Sequence, residues 1–130
     1  MMTKHSASGG LSAEIKQDRE LYREALSHME EARQHCRPEG RDYIDCFVGR
    51  LRFAIHYLDA ADAFGATASA EKTGNLDEAR RQANIAVESI RAALESYAEI
   101  VRDHGDLGAL ALMNKYCYRP IRDKRDELER

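Results

Sequence analysis

The chain has 130 residues, 43% hydrophobic and 33% charged, a balance that suits one compact domain and excludes wholesale disorder. Its formal net charge of -3 supplies no overall field toward nucleic acid or anionic lipid, so neither DNA nor a membrane is an expected partner. No stretch approaches the roughly 20 apolar residues of a membrane span, and Met1 to Gly10 is polar and small, which predicts a cytoplasmic protein with residues 1–10 as a disordered lead-in.

Only Pro38 and Pro120 interrupt the chain, so long helices are permitted nearly everywhere. The first helix is expected from Ser12, as N-cap, to Cys36, with Ile15, Tyr22, Ala25, Met29, Ala32 and Cys36 as its buried stripe. Arg37-Pro38-Glu39-Gly40 reads as the break that follows, because the residue before a proline is pushed out of helical geometry. A second helix is expected from Arg41 to Lys72, with Ile44, Phe47, Val48, Leu51, Ile55, Leu58, Ala61, Gly65 and Ala68 on its apolar face. Its half from Ala60 to Ala70 is built of small residues around Phe64, which predicts a close helix crossing there.

Thr73-Gly74-Asn75-Leu76-Asp77-Glu78 is the clearest punctuation in the chain. Gly74 can take the left-handed conformation that ends a helix, Asn75 can cap the next, and Glu78 stands where a capping box needs it. The third helix is expected from Leu76 to Asp103, with Leu76, Ala79, Ala83, Ala86, Ile90, Ala93, Tyr97 and Ile100 in a coiled-coil-like seam. Asp77–Arg80, Glu78–Arg81, Glu88–Arg91 and Glu99–Arg102 are expected as surface pairs three residues apart. His104-Gly105-Asp106 reads as a second stop and restart, with Asp106 as cap of a fourth helix that Pro120 interrupts after Tyr118. The fold class is therefore all-α, an antiparallel up-down bundle of four helices over residues 11–121. A charged tail over 122–130 is either a last helical turn or a frayed end, with Arg122–Asp126 and Arg125–Glu129 as its expected pairs.

No catalytic motif stands clear, and no cofactor or metal is expected. The histidines (His5, His28, His35, His56, His104) fall in separate segments. Glu24 with His28 and Glu31 with His35 lie on one helix only, without the second pair that a di-metal bundle site requires. Cys36, Cys46 and Cys117 lack metal-ligand spacing and read as small reduced hydrophobes, although Cys36 and Cys46 flank a turn across which they could pair.

Leu107 to Met113 is apolar on nearly all sides and is followed by aromatic and basic residues, so this helix must bury more than one face. Leu107, Leu110, Asn114, Tyr116 and Tyr118 are the expected interaction residues, with Asn114 either satisfied inside the bundle or setting register across an interface. The leading expectation is a non-catalytic interaction or structural module whose partner is protein, a second copy or a neighbouring domain, met through the fourth helix and the Ala-rich half of the second. A small-ligand binder using Tyr97, Tyr116 and Tyr118 is the alternative among binding functions.

Two family resemblances bear on function. Arg50 and His56, separated by five residues, resemble the Arg…His motif of HEPN domains, although Leu51 stands where those domains usually carry a polar residue. The resemblance implies a metal-independent ribonuclease with Arg50 and His56 meeting at a dimer interface, and RNA as partner under that reading alone. Leu51 to Ile121, through Gly74-Asn75-Leu76-Asp77-Glu78-Ala79 and the ending from Gly105-Asp106-Leu107-Gly108 to Tyr118-Arg119-Pro120, resembles helical bundle domains attached to large bacterial carbohydrate-active proteins. That resemblance implies an accessory domain that docks on a catalytic barrel and carries no catalytic residue.

Overall fold

A computed structural model describes residues 10–102 and 104–130, with the backbone alone for Gly10, Leu11, Ser12 and His104. It is 91% helical, an all-α bundle of four helices without a strand among the described residues. The first three are α1 (Gly10–His35), α2 (Pro38–Lys72) and α3 (Leu76–Ala98). The fourth is a continuous rod made of α4 (His104–Met113), a wide π turn (Asn114–Tyr118) and α5 (Arg119–Glu129). The expected lead-in up to residue 9 lies outside the described residues.

Helix ends depart from the sequence expectation where proline or a long-range contact decides them. Helix α1 begins at Gly10, so Ser12 lies inside its first turn rather than at its cap. Helix α2 begins at Pro38, not Arg41, because proline lacks only an N–H that the first turn leaves unpaired anyway. Arg37 is extended at φ -71° and ψ 154°, and Gly40 donates to the Arg37 carbonyl at 2.9 Å, already within the turn. The break is two residues long, Cys36 and Arg37.

The α2–α3 hairpin forms as its sequence prescribes. Gly74 has φ +76°, and the N–H groups of Gly74 and Asn75 donate to the carbonyls of Glu71 and Ala70, the paired bonds of a Schellman end. Asn75 Oδ1 accepts from the Glu78 N–H at 3.2 Å. The reciprocal half of the capping box is absent. Glu78 turns forward to Arg81 and Gln82, and the Asn75 N–H is already used.

Helix α3 stops at Ala98 instead of Asp103. Ile100 and Val101 fold back in tight turns, donating to the Tyr97 and Ala98 carbonyls, and the Ile100 side chain drops onto Gly49 of α2. Any Cβ at residue 49 would collide with the Ile100 γ2 methyl, so glycine there permits the close approach.

The core is thin and alanine-rich. Ala79, Ala83, Ala86, Val87, Ile90 and Ala93 of α3 are all at most 1% exposed, and they meet Ala60, Ala63, Thr67 and Ala70 of α2. Small side chains let the two backbones approach closely, and this is the tight crossing the sequence predicts. Val48 and Ile55 of the predicted α2 face are buried, but in the small-residue half the buried face is rotated by about one residue, since Ala60, Ala63 and Thr67 are buried while Ala68 is exposed. Thr67 satisfies its buried hydroxyl by donating to the Ala63 carbonyl at 2.9 Å.

Helix α1 packs on α2 alone to any substantial extent. Of its predicted stripe only Ile15 is buried, whereas Tyr22 and Ala32 are exposed. Polar contacts dominate the rest of the seam. Arg19 binds Asp59 at 2.7 Å with Asp62 at 3.8 Å, Arg33 pairs with Asp45, and Arg52 reaches Glu30 at 3.3 Å.

The fourth helix runs antiparallel to α3, with Arg80 Nε donating to the Leu128 carbonyl and Arg91 to the Tyr118 hydroxyl. Pro120 does not interrupt it. A proline ring in a regular helix collides with the carbonyl four residues earlier. Here the preceding turn is widened, with the Arg119 N–H donating to the Asn114 carbonyl five residues back, so the helix passes through Pro120. Residues 122–129 are therefore ordered helix rather than frayed tail. Lys124 Nζ binds Glu71 of α2 at 2.9 Å, and Arg122 and Arg125 pair with Asp123 and Asp126 instead of residues four away.

Candidate functional site

Two concave features flank the fourth helix. The larger is an open groove of about 580 Å³ between α3 and α4. Leu94 and Ala98 form its α3 side, and Leu107, Leu110 and Ala111 its α4 side. Arg91, Glu95, Asn114 and Tyr118 stand at its polar margin. The connection that sets its width is held by Asp106, whose carboxylate accepts from the Arg102 N–H at 3.0 Å and the Tyr97 hydroxyl at 3.3 Å.

Four of the five interaction residues expected from sequence, Leu107, Leu110, Asn114 and Tyr118, come together along this groove. Leu107 is 51% exposed and nearby Leu112 58%, so a large share of the apolar surface of α4 faces solvent. Tyr116 is carried by the π turn to the opposite side, into a separate cavity of about 170 Å³ against α2. The three tyrosines proposed as a ligand cluster do not assemble. Tyr97 packs edge-on against Phe53 at 5.3 Å, Tyr116 is 65% exposed, and Tyr118 lies near Arg91 and Arg122, their guanidinium carbons 5.9 and 5.8 Å from its ring.

The groove is apolar along its walls and charged only at its margin. Its acid and base at the margin, Glu95 and Arg91, are both exposed and one turn apart on α3. Arg91 donates to Tyr118 rather than pairing with Glu88 as the sequence suggests. The residues sequence reasoning missed, Leu94 and Ala98, belong to an α3 whose seam points elsewhere. Leu94 directly follows the buried Ala93, and Ala98 stands one helical turn further on, so both lie on the flank of that seam. That flanking position is the one signal the sequence holds for them.

Arg50 is exposed and His56 half-buried. Six residues of helix place them about 120° apart around α2 and about 9 Å apart along it, so one chain does not bring them onto a common face. Cys36, Cys46 and Cys117 are free and half-buried, with Cys36 Sγ donating to the Arg33 carbonyl at 3.3 Å. Among the described residues no three His, Cys, Asp or Glu side chains come together in a group that could hold a metal ion. Among them, too, no helix is long and apolar enough to cross a membrane. No protein-family model, curated protein or solved structure matches the chain.

Proposed function

We propose that this chain is a non-catalytic interaction module that pairs with a second copy of itself through the α3–α4 groove. The observation that carries the reading is the apolar groove with Leu107 half-exposed on its wall, a surface that costs free energy while it faces water. A two-fold pairing also suits the charges at its margin. Isologous interfaces must be self-complementary, and an antiparallel approach of two α3 helices sets Arg91 of one copy beside Glu95 of the other. The resemblance to accessory bundle domains favours the same class of function, docking rather than chemistry.

Light scattering coupled to size exclusion tests the reading. The protein should elute with twice its 14.7 kDa mass at micromolar concentration, and Leu107→Glu should elute as a monomer with unchanged helicity. A wild-type protein that stays monomeric at several hundred micromolar would overturn it. The ribonuclease reading stays with Arg50 and His56 and is tested by RNA cleavage in the presence of a chelator.

A further inference from the structure

The cavity on the other side of the fourth helix shares no lining residue with the groove and has a different character. Its floor is Ala60 and Ala61 of α2, side chains too short to reach across. Tyr57, Phe64 and Tyr116 wall it, and Ile121 is among the residues that close it. The void follows from the π turn. The widened turn that lets the helix pass Pro120 also places Tyr116 and Cys117 on this side, where Cys117 and Ile121 pack against the buried Ala60 and the open space lies over the half-buried Ala61.

From this geometry we infer that the cavity is a binding site for a small planar aromatic molecule of one ring, of the phenol class. Its volume of about 170 Å³ is close to the roughly 150 Å³ of an apolar cavity that accepts benzene. Three aromatic side chains offer edge and face contacts that a saturated ring of equal size would not match. Two groups supply polarity, the Tyr57 hydroxyl and the Cys117 thiol. Burial, and then the neighbouring Cys117 sulfur, push the Tyr57 phenol above its ordinary pKa. Tyr116 is 65% exposed at the mouth, which leaves a way in without unfolding.

The test is a titration of the full chain with phenol, followed by NMR at the methyl groups of Ala60, Ala61 and Ile121. Saturable shifts at those methyls are expected, with a Kd of about 1 mM for so small a ligand. Cyclohexanol should bind several-fold more weakly, and Ala61→Leu, which fills the floor, should weaken phenol at least tenfold. Absence of saturation at ten times that concentration, or equal phenol binding by a folded Ala61→Leu protein, would overturn the inference. A second readout does not depend on the variant folding. Saturating phenol should slow alkylation of Cys117 by iodoacetamide while Cys36 and Cys46 in the same sample react unchanged, and equal rates of Cys117 alkylation with and without phenol would overturn it.

Discussion

Gly49 and Gly65 both lie on α2, and the same substitution should act on them with opposite sign. Replacing glycine by alanine inside a helix gains about 1 kcal/mol from the reduced freedom of the unfolded chain. At Gly65 an added Cβ meets nothing within 4 Å, so most of that gain should appear. At buried Gly49 the new Cβ collides with the γ2 methyl of Ile100, a β-branched side chain that cannot swing away. Overpacking of this kind costs about 1–3 kcal/mol, leaving Gly49→Ala about 1 kcal/mol less stable than the parent. Thermal unfolding followed by circular dichroism should show Tm falling by roughly 3–5 °C for Gly49→Ala and rising by a few degrees for Gly65→Ala. Combining Gly49→Ala with Ile100→Ala should remove the collision, so the double variant should be more stable than the sum of the two single effects by about 2 kcal/mol. Equal stabilisation by the two glycine replacements would refute the claim that Ile100 on Gly49 fixes the exit of α3.

Two further outcomes follow from the surface chemistry. Hydrogen bonds from Arg81 and then Gln82 hold the Glu78 carboxylate down to about 2, against an ordinary 4.5. Its folded value lies below its unfolded one, so its contribution is complete above pH 4.5 and lost as pH falls through 2. Acid titration of stability should therefore show the wild-type advantage over Glu78→Gln shrinking across that window, and a difference independent of pH would contradict it. A non-catalytic module should leave single-stranded RNA intact in the presence of a chelator, whereas cleavage that disappears in a folded His56→Ala variant would establish the ribonuclease reading instead.

Local signals in the sequence carried furthest. Gly74, Asn75 and the alanine seam of α3 could be read because each depends on residues within a few positions. The apolar stretch from Leu107 to Met113, with the polar and aromatic residues that follow it to Tyr118, likewise pointed to four residues of the groove. What could not be read was set by packing between distant segments. Ala60 to Ala70 is small on every side, so hydrophobicity alone could not select the face that α3 covers. Helix α1 looks amphipathic, yet of its expected stripe only Ile15 is buried, and α2 presents Asp45, Asp59 and Asp62 to it as ion-pair partners. Pro120 suggests a break until the π turn supplies the room its ring needs. The cavity depends on Tyr57 and Phe64 of α2 meeting Tyr116 of the distant π turn, a proximity with no local trace.

The central claim is that two copies meet across the α3–α4 groove, and charge reversal at its margin tests it most directly. Sedimentation velocity should show a dimer for the wild type, dissociation for Glu95→Arg, and recovery of the dimer for Arg91→Glu with Glu95→Arg, in which the pair is exchanged. A wild-type monomer, or a dimer indifferent to these substitutions and to Leu107→Glu, would contradict it.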